Sequence, residues 1–207
     1  MFAVCLAGLQ AGALAPAHAF TVSISPGTKA LFLQVGAGTM TGGNFNAGGV
    51  PGNNSTINTA TVTVPAAQLG SGVAQPMATN STVSVSPWDG YSFCSTPATT
   101  GLIYVGGFYR LPGSSGASAT LAVTTPANLT NAAGNTIPFN RISWTSSGNG
   151  DATTTIPSGQ FTGAAQTLLS VPLNTWFESC LAFSYLNTKV VPAGSFTGQA
   201  TFTLTAP

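Results

Sequence analysis

The sequence has very few charged residues. Of its 207 residues, 4 are Lys or Arg and 3 are Asp or Glu, so the charged fraction is 3%, whereas an ordinary soluble domain has roughly 25%. A formal net charge of +1 without a basic run cannot supply the phosphate contacts of a nucleic-acid partner or the basic patch of a membrane-surface protein. Because 43% of the residues are hydrophobic, the composition also excludes an intrinsically disordered chain.

Histidine and acidic residues are too scarce for most catalytic or metal sites. The single histidine is His18, and the three acids are Asp89, Asp151 and Glu178. A serine nucleophile needs a neighbouring base, structural zinc needs four Cys or His ligands, and calcium needs a cluster of carboxylates. Asp89 and Asp151 each lie beside a glycine, in sequences typical of turns. The sequence therefore predicts no enzyme, no metal site and no cofactor.

The longest apolar stretch lies at the amino terminus, over residues 1–19. It is shorter than the run of about 20 apolar residues that a membrane-spanning helix needs. It ends in Ala17-His18-Ala19, which matches the small-x-small pattern of a signal cleavage site. We therefore predict a secretory signal peptide over residues 1–19 and a single mature domain over residues 20–207 that does not insert into a membrane.

Two pairings are expected in the interior of the mature chain. Cys94 and Cys180 are its two cysteines, and an even number of cysteines in an exported chain favours a disulfide; two buried free thiols are the alternative. Glu178 lies two residues before Cys180 on a predicted core strand. We expect its charge to pair with Arg110 or Arg141, as a structural clamp in a chain with few ions.

Composition and periodicity both indicate β structure. The chain has 30 Thr, 20 Ser, 25 Gly and 14 Pro; Thr favours strands, while Gly, Pro and Ser favour turns. Apolar and polar residues alternate most clearly near both ends of the mature chain, as in half-buried strands. About 8–10 short antiparallel strands in a sandwich or barrel are predicted, with no helix longer than a turn near 66–69. Residues 39–54 are expected to form a long exposed loop or an edge-strand connection, and residues 113–118 a hairpin loop. The predicted strands are 20–25, 30–35, 57–64, 82–86, 102–109, 119–124, 139–145, 167–171, 179–186 and 196–205.

The three tryptophans allow two interpretations. Trp88, Trp144 and Trp176 have flat apolar faces that suit either a buried core or a binding surface for sugar rings. Core packing is the simpler interpretation. The other makes the chain a solitary secreted carbohydrate- or ligand-binding module, with a glycan as its partner and these indoles as the platform.

The carboxyl-terminal segment has a pattern that resembles a known family. Gly194 is the fourteenth residue from the end, and Phe196, Phe202 and Leu204 then occupy alternate positions among threonines. This segment resembles the last strand of bacterial surface-filament subunits assembled by the chaperone–usher route, including the spore coat U-like group. The penultimate residue is Ala206, where that family has tyrosine.

The resemblance implies an immunoglobulin-like β-sandwich that lacks one strand. In such subunits an amino-terminal extension of the next subunit supplies that strand, and the alternation of Phe20, Val22 and Ile24 suits this kind of strand addition. It further implies a bacterial protein in the periplasm, at the cell surface or outside the cell. We expect a structural or adhesive protein, such as a subunit of a pilus-like filament, whose partner is a second copy or another surface subunit.

Overall fold

The computed structural model describes residues 21–94, 101–147 and 154–207, so the predicted signal peptide, Phe20 and Asp151 lie outside the described residues. Short 3-10 turns lie at Phe45–Ala47, Ala66–Gln68 and Phe139–Arg141. In these three ranges no helix is long and apolar enough to cross a membrane. The strands are β1 (Thr21–Ser23), β2 (Ala30–Val35), β3 (Met40–Thr41), β4 (Val50–Pro51), β5 (Ala60–Thr61), β6 (Ala74–Pro76), β7 (Ala78–Thr79), β8 (Leu102–Arg110), β9 (Ala119–Thr124), β10 (Asn128–Thr130), β11 (Thr136–Pro138), β12 (Ile142–Ser147), β13 (Gly159–Gln160), β14 (Ala165–Val171), β15 (Thr175–Leu186) and β16 (Thr201–Thr205).

The large sheet is arranged around β15, the longest strand. Its order is β13-β12-β15-β8-β2, and β1 and β6 also pair with β15. The twelve residues of β15 are enough to hold two partners on each edge. One edge pairs with β8 and then β6, and the other pairs with β1 and then β12, always antiparallel. This central position explains why β15 has hardly any exposed surface.

A second sheet covers one face of the first. Its order is β14-β9-β16, and the inward side chains of the two sheets form one hydrophobic cluster. Val105 of β8, Leu121 and Val123 of β9, and Leu181 of β15 are all at most 1% exposed. Such burial of two facing sheets defines a sandwich. The all-β prediction is confirmed.

The carboxyl-terminal strand has the alternation that the sequence predicts. Phe202 and Leu204 are half-buried against the core, whereas Thr201, Thr203 and Thr205 are exposed. Regular pairing with β9 begins at Thr201, later than predicted. Before it, the chain makes an isolated bridge from 197 to 130 and at 198 passes close to the hairpin of β10 and β11, which displaces it from the sheet.

Two local predictions are wrong. Residues 113–118 do not form a hairpin loop, because the strands on either side, β8 and β9, belong to different sheets. Residues 82–86 do not form a regular strand, because only Val85 makes a bridge, to Ser92. The strands are also more fragmented than expected. Of the sixteen in the described ranges, nine have only two or three residues.

The predicted disulfide between Cys94 and Cys180 is present. The two Cα atoms are 5.2 Å apart, and the sequence separation is 86 residues. Cys180 is 1% exposed and lies on the face of β15 that points away from the small sheet. The bridge therefore ties the chain segment that precedes residue 95 to the outer face of the large sheet.

The disulfide closes a long loop, so its removal should change the stability of the protein by a measurable amount. We expect Cys94→Ala/Cys180→Ala to lower the free energy of unfolding by about 4–5 kcal/mol, because the unfolded chain gains the entropy of an 86-residue loop. Chemical denaturation with and without a reductant measures this. The reductant should lower the wild-type midpoint toward that of the variant and leave the variant unchanged. Equal wild-type midpoints in both conditions would contradict the prediction.

Candidate functional site

The outer face of the large sheet carries a row of polar residues between apolar ones. In the register of β2, β8 and β15, Phe32 faces Phe108 and Phe108 faces Trp176. At Gly106, two residues before Phe108 on β8, Gln34 lies on one side and Glu178 on the other. The sheet therefore brings a carboxylate and a carboxamide into the same buried row, although they are far apart in the sequence.

Gly106 is required by the side chain of Tyr104. A Cβ at position 106 would overlap the Tyr104 hydroxyl and would lie 2.9 Å from Cβ of Glu178. Because glycine leaves this space open, the phenol lies across the β8 backbone and reaches the carboxylate on β15. Consecutive glycines, here Gly106 and Gly107, weaken a strand interior, so close packing at this point is their structural reason.

Glu178 accepts hydrogen bonds from neutral groups only. Its Oε2 accepts from the Tyr104 hydroxyl at 2.8 Å and from Trp176 Nε1 at 3.1 Å. The Ser86 hydroxyl lies 2.8 Å from Oε1 and 3.0 Å from Oε2. The side chain is 1% exposed. Ser86 in turn accepts from the backbone N–H of Trp88 at 3.1 Å, so the carboxylate holds the turn at 86–90 on the sheet.

The expected pairing of Glu178 with Arg110 or Arg141 is wrong. Arg110 lies four residues from Gly106 along β8, which is about 13 Å at the rise of a strand. Its guanidinium instead lies 5.7 Å from the ring centroid of Phe108. Arg141 lies in the turn that precedes β12. Sequence alone could not place these cations relative to Glu178, because their positions depend on the pairing of distant strands.

Burial changes the titration of this cluster. Loss of hydration raises the pKa of Glu178, and the hydrogen bonds from Ser86, Trp176 and Tyr104 only partly oppose that rise. Burial, followed by the negative charge of Glu178, raises the pKa of Tyr104 well above its usual value. With the carboxylate enclosed, a substrate has no access to it. The cluster acts as a clamp between the segment around Ser86 and the sheet.

The three tryptophans do not meet on one surface. Trp144 is 5% exposed and packs in the core between the sheets, where its ring centroid lies 4.9 Å from that of Phe161. Trp176 is fully buried on the opposite face of the large sheet. Trp88 is half-buried and lies against Trp176, with ring centroids 5.6 Å apart. Of the three, only Trp88 is more than slightly exposed.

The amino-terminal segment that the sequence proposes as a donor pairs with its own chain. Val22 of β1 faces Trp176 of β15, and the Ile24 N–H donates to the Asn174 carbonyl oxygen at 2.9 Å. Ile24 is 7% exposed and packs with Phe108 and Trp176. The pairing covers only three residues.

The carboxyl-terminal motif lies at the edge of the small sheet. Phe196, Phe202 and Leu204 pack against the core, and Gly194 is exposed beside Asn131. In the described residues β16 pairs with β9 alone and β2 pairs with β8 alone. Each strand therefore has one unpaired edge. Cα atoms of β2 and β16 come within 8 Å of each other, so the two unpaired edges are neighbours.

Sequence reasoning identified both cysteines but missed Ser86, Tyr104 and Gly106. The pair of glycines inside an otherwise apolar strand was the available signal, since glycine there often marks a close approach.

In the described ranges no group of three or more His, Cys, Asp or Glu side chains could hold a metal ion. No protein-family model, curated protein or solved structure matches the chain. Functional interpretation therefore depends on the strand edges and on the outer face.

The buried carboxylate makes stability dependent on pH. Because the folded-state pKa of Glu178 is raised, stability is greatest below the unfolded-state value of about 4.3 and falls as the pH rises through the folded-state value. Glu178→Gln, which mimics the protonated form, should flatten this fall. Glu178→Ala should lower stability by about 2–4 kcal/mol, because buried donors lose their acceptor. Denaturant unfolding from pH 4 to pH 8 compares the three proteins, and parallel pH curves for wild type and Glu178→Gln would exclude this role.

Proposed function

We propose that the chain is a secreted structural or adhesive subunit of the bacterial surface that joins copies of itself by β-strand addition. The observation that supports this most directly is the pair of unpaired strand edges, β2 and β16, on one side of the sandwich. The disulfide is in keeping with an oxidising compartment. The scarcity of charge lowers the repulsion between copies.

The arrangement of the long strands supports an immunoglobulin-like sandwich. Among the strands of five or more residues, the large sheet holds four, β12, β15, β8 and β2, and the small sheet holds three, β14, β9 and β16. Four strands facing three is the division found in constant-type immunoglobulin domains. The disulfide differs from the immunoglobulin pattern, because it joins β15 to a covering segment and not to the other sheet.

The β2–β16 edge has the features of an acceptor for another strand. Leu33 and Val35 of β2, with Phe202 and Leu204 of β16, are half-buried apolar residues that pack against the core from this side. An unpaired edge presents backbone donors and acceptors that a further strand can satisfy. A strand added here would also cover these four side chains, which combines backbone pairing with side-chain pockets as strand addition requires.

The amino-terminal segment is the proposed donor. In a single copy it pairs with β15 over three residues, so its release breaks a short ladder. Addition of the released segment to the β2–β16 edge of another copy would give its backbone and apolar side chains new partners there. Phe20, Val22 and Ile24 supply three apolar side chains on one face of the segment, which can pack on the apolar row of the acceptor edge.

Neighbouring residues of the donor segment provide a matched test. Val22 is half-buried and Ser23 is exposed, so Val22→Asp and Ser23→Asp add the same charge on opposite faces. We expect Val22→Asp to reduce self-assembly at least tenfold, while Ser23→Asp assembles like the wild type. Size-exclusion chromatography and electron microscopy of the chain without residues 1–19 measure assembly, and circular dichroism confirms that each variant is folded.

Two results would count against the proposal. A wild-type protein that stays a monodisperse monomer at every concentration would exclude self-assembly. Assembly that is equally sensitive to the two aspartates would show that charge, and not the apolar face of the segment, controls association. A synthetic peptide of residues 20–25 should inhibit assembly of the wild type if the segment is the donor.

A further inference from the structure

An open groove lies on the outer face, beside the polar row. Its walls come from residues between 34 and 44, which include Gln34 of β2, and from residues 82–87 and 90. Its volume is about 440 Å³, within the range of about 300–1,000 Å³ that is usual for small-molecule sites. None of the residues that line it is charged. The groove shares Gln34 of β2 with the strands of the proposed assembly edge, but none of the apolar side chains of that edge.

The floor of the groove contains a buried amide with an unused acceptor. Gln34 is 6% exposed, and its Nε2 donates to the carbonyl oxygen of Gly36 at 3.0 Å. Within the part of the chain that the structure describes, no donor reaches Gln34 Oε1. Because the described residues supply it with no donor, this oxygen in a groove wall is available to a ligand or to water.

The rim supplies donors and hydroxyls. Asn44 Oδ1 accepts from the Ala47 N–H at 2.9 Å, while in the described ranges its Nδ2 has no acceptor. The exposed hydroxyls of Thr39, Thr82 and Ser84 also line the groove. Hydroxyls act as both donors and acceptors. The groove therefore presents an acceptor on its floor and mixed hydrogen-bonding groups around its mouth.

We propose that this groove binds a neutral saccharide, with Gln34 Oε1 accepting from a sugar hydroxyl and Asn44 Nδ2 donating to a sugar oxygen. An ionic ligand would find no counter-charge in these walls. A purely apolar ligand would displace water from the Gln34 oxygen without supplying a donor in its place. The apolar side chains of Met40 and Val85 also line the groove and can contact the C–H face of a sugar ring. This site uses none of the three tryptophans and does not depend on the proposed strand addition.

The first test is calorimetric titration of the monomeric protein with maltose, cellobiose, lactose and N,N′-diacetylchitobiose. At least one of these should bind saturably. Gln34→Met preserves the length and burial of the side chain but removes the acceptor, so it should weaken binding about tenfold, the effect of one lost hydrogen bond of about 1.4 kcal/mol. Thr120→Val, on the exposed face of β9, is the matched control and should bind like the wild type.

Gly38→Ala is a second variant in case Gln34→Met does not fold. A Cβ at position 38 would overlap the carboxamide of Gln34, so it should displace that group and weaken binding without removing a hydrogen-bonding residue. An acidic disaccharide that contains glucuronic acid should bind less well than the neutral ones.

Three results would overturn the proposal. They are no saturable binding of any neutral disaccharide, equal binding by the wild type and both groove variants, and tighter binding of the acidic disaccharide. None of them bears on strand addition, because self-assembly is measured separately through Val22→Asp and Ser23→Asp.

Discussion

The hydrogen bonds of Glu178 are the interaction on which the outer half of the structure depends. β15 pairs on both edges and is covered on both faces, so any polar side chain in its middle must find partners inside the protein. Glu178 finds three, on β8, on β15 itself and in the segment of residues 82–94. Two residues further, Cys180 ties that segment to the same strand by a covalent bond. The hydrogen bonds of Glu178 and the disulfide together keep the segment of residues 82–94 in place over Trp176 and the aromatic rings that pack against it.

A carboxylate without a cation is an unusual choice for a clamp, and the composition of the chain explains it. With only four Lys and Arg residues in the sequence, the register of the sheet places none of them beside Glu178. Neutral donors replace a counter-ion, and burial then raises the pKa of the carboxyl. The same scarcity leaves the groove beside Gln34 and the edge formed by β2 and β16 without charge, which favours neutral ligands and association between copies.

Period-two alternation allowed the half-buried strands to be predicted from the sequence. The bounds of β9 agree with the prediction at both ends, because its side chains alternate between the core and the more exposed face. The bounds of β2 also agree, although this short strand is apolar on both faces. β15 was predicted too short, since its first half is buried on both faces and shows no alternation. The partner of Glu178 was predicted wrongly for a related reason. Which side chains meet across β2, β8 and β15 depends on register between distant segments, and local pattern contains no information about it.

The alternation of β2 also separates its two proposed roles. Leu33 and Val35 point toward the core at the proposed assembly edge, whereas Gln34 points to the outer face and lines the groove. Successive side chains of a strand lie on opposite faces, so one strand can serve assembly and ligand binding without sharing a side chain between them. The backbone of β2 is nevertheless common to both. A strand added to the free edge of β2 would restrict the motion of Gln34 in the groove. A difference in saccharide affinity between assembled and monomeric protein would therefore show that strand addition and saccharide binding are coupled.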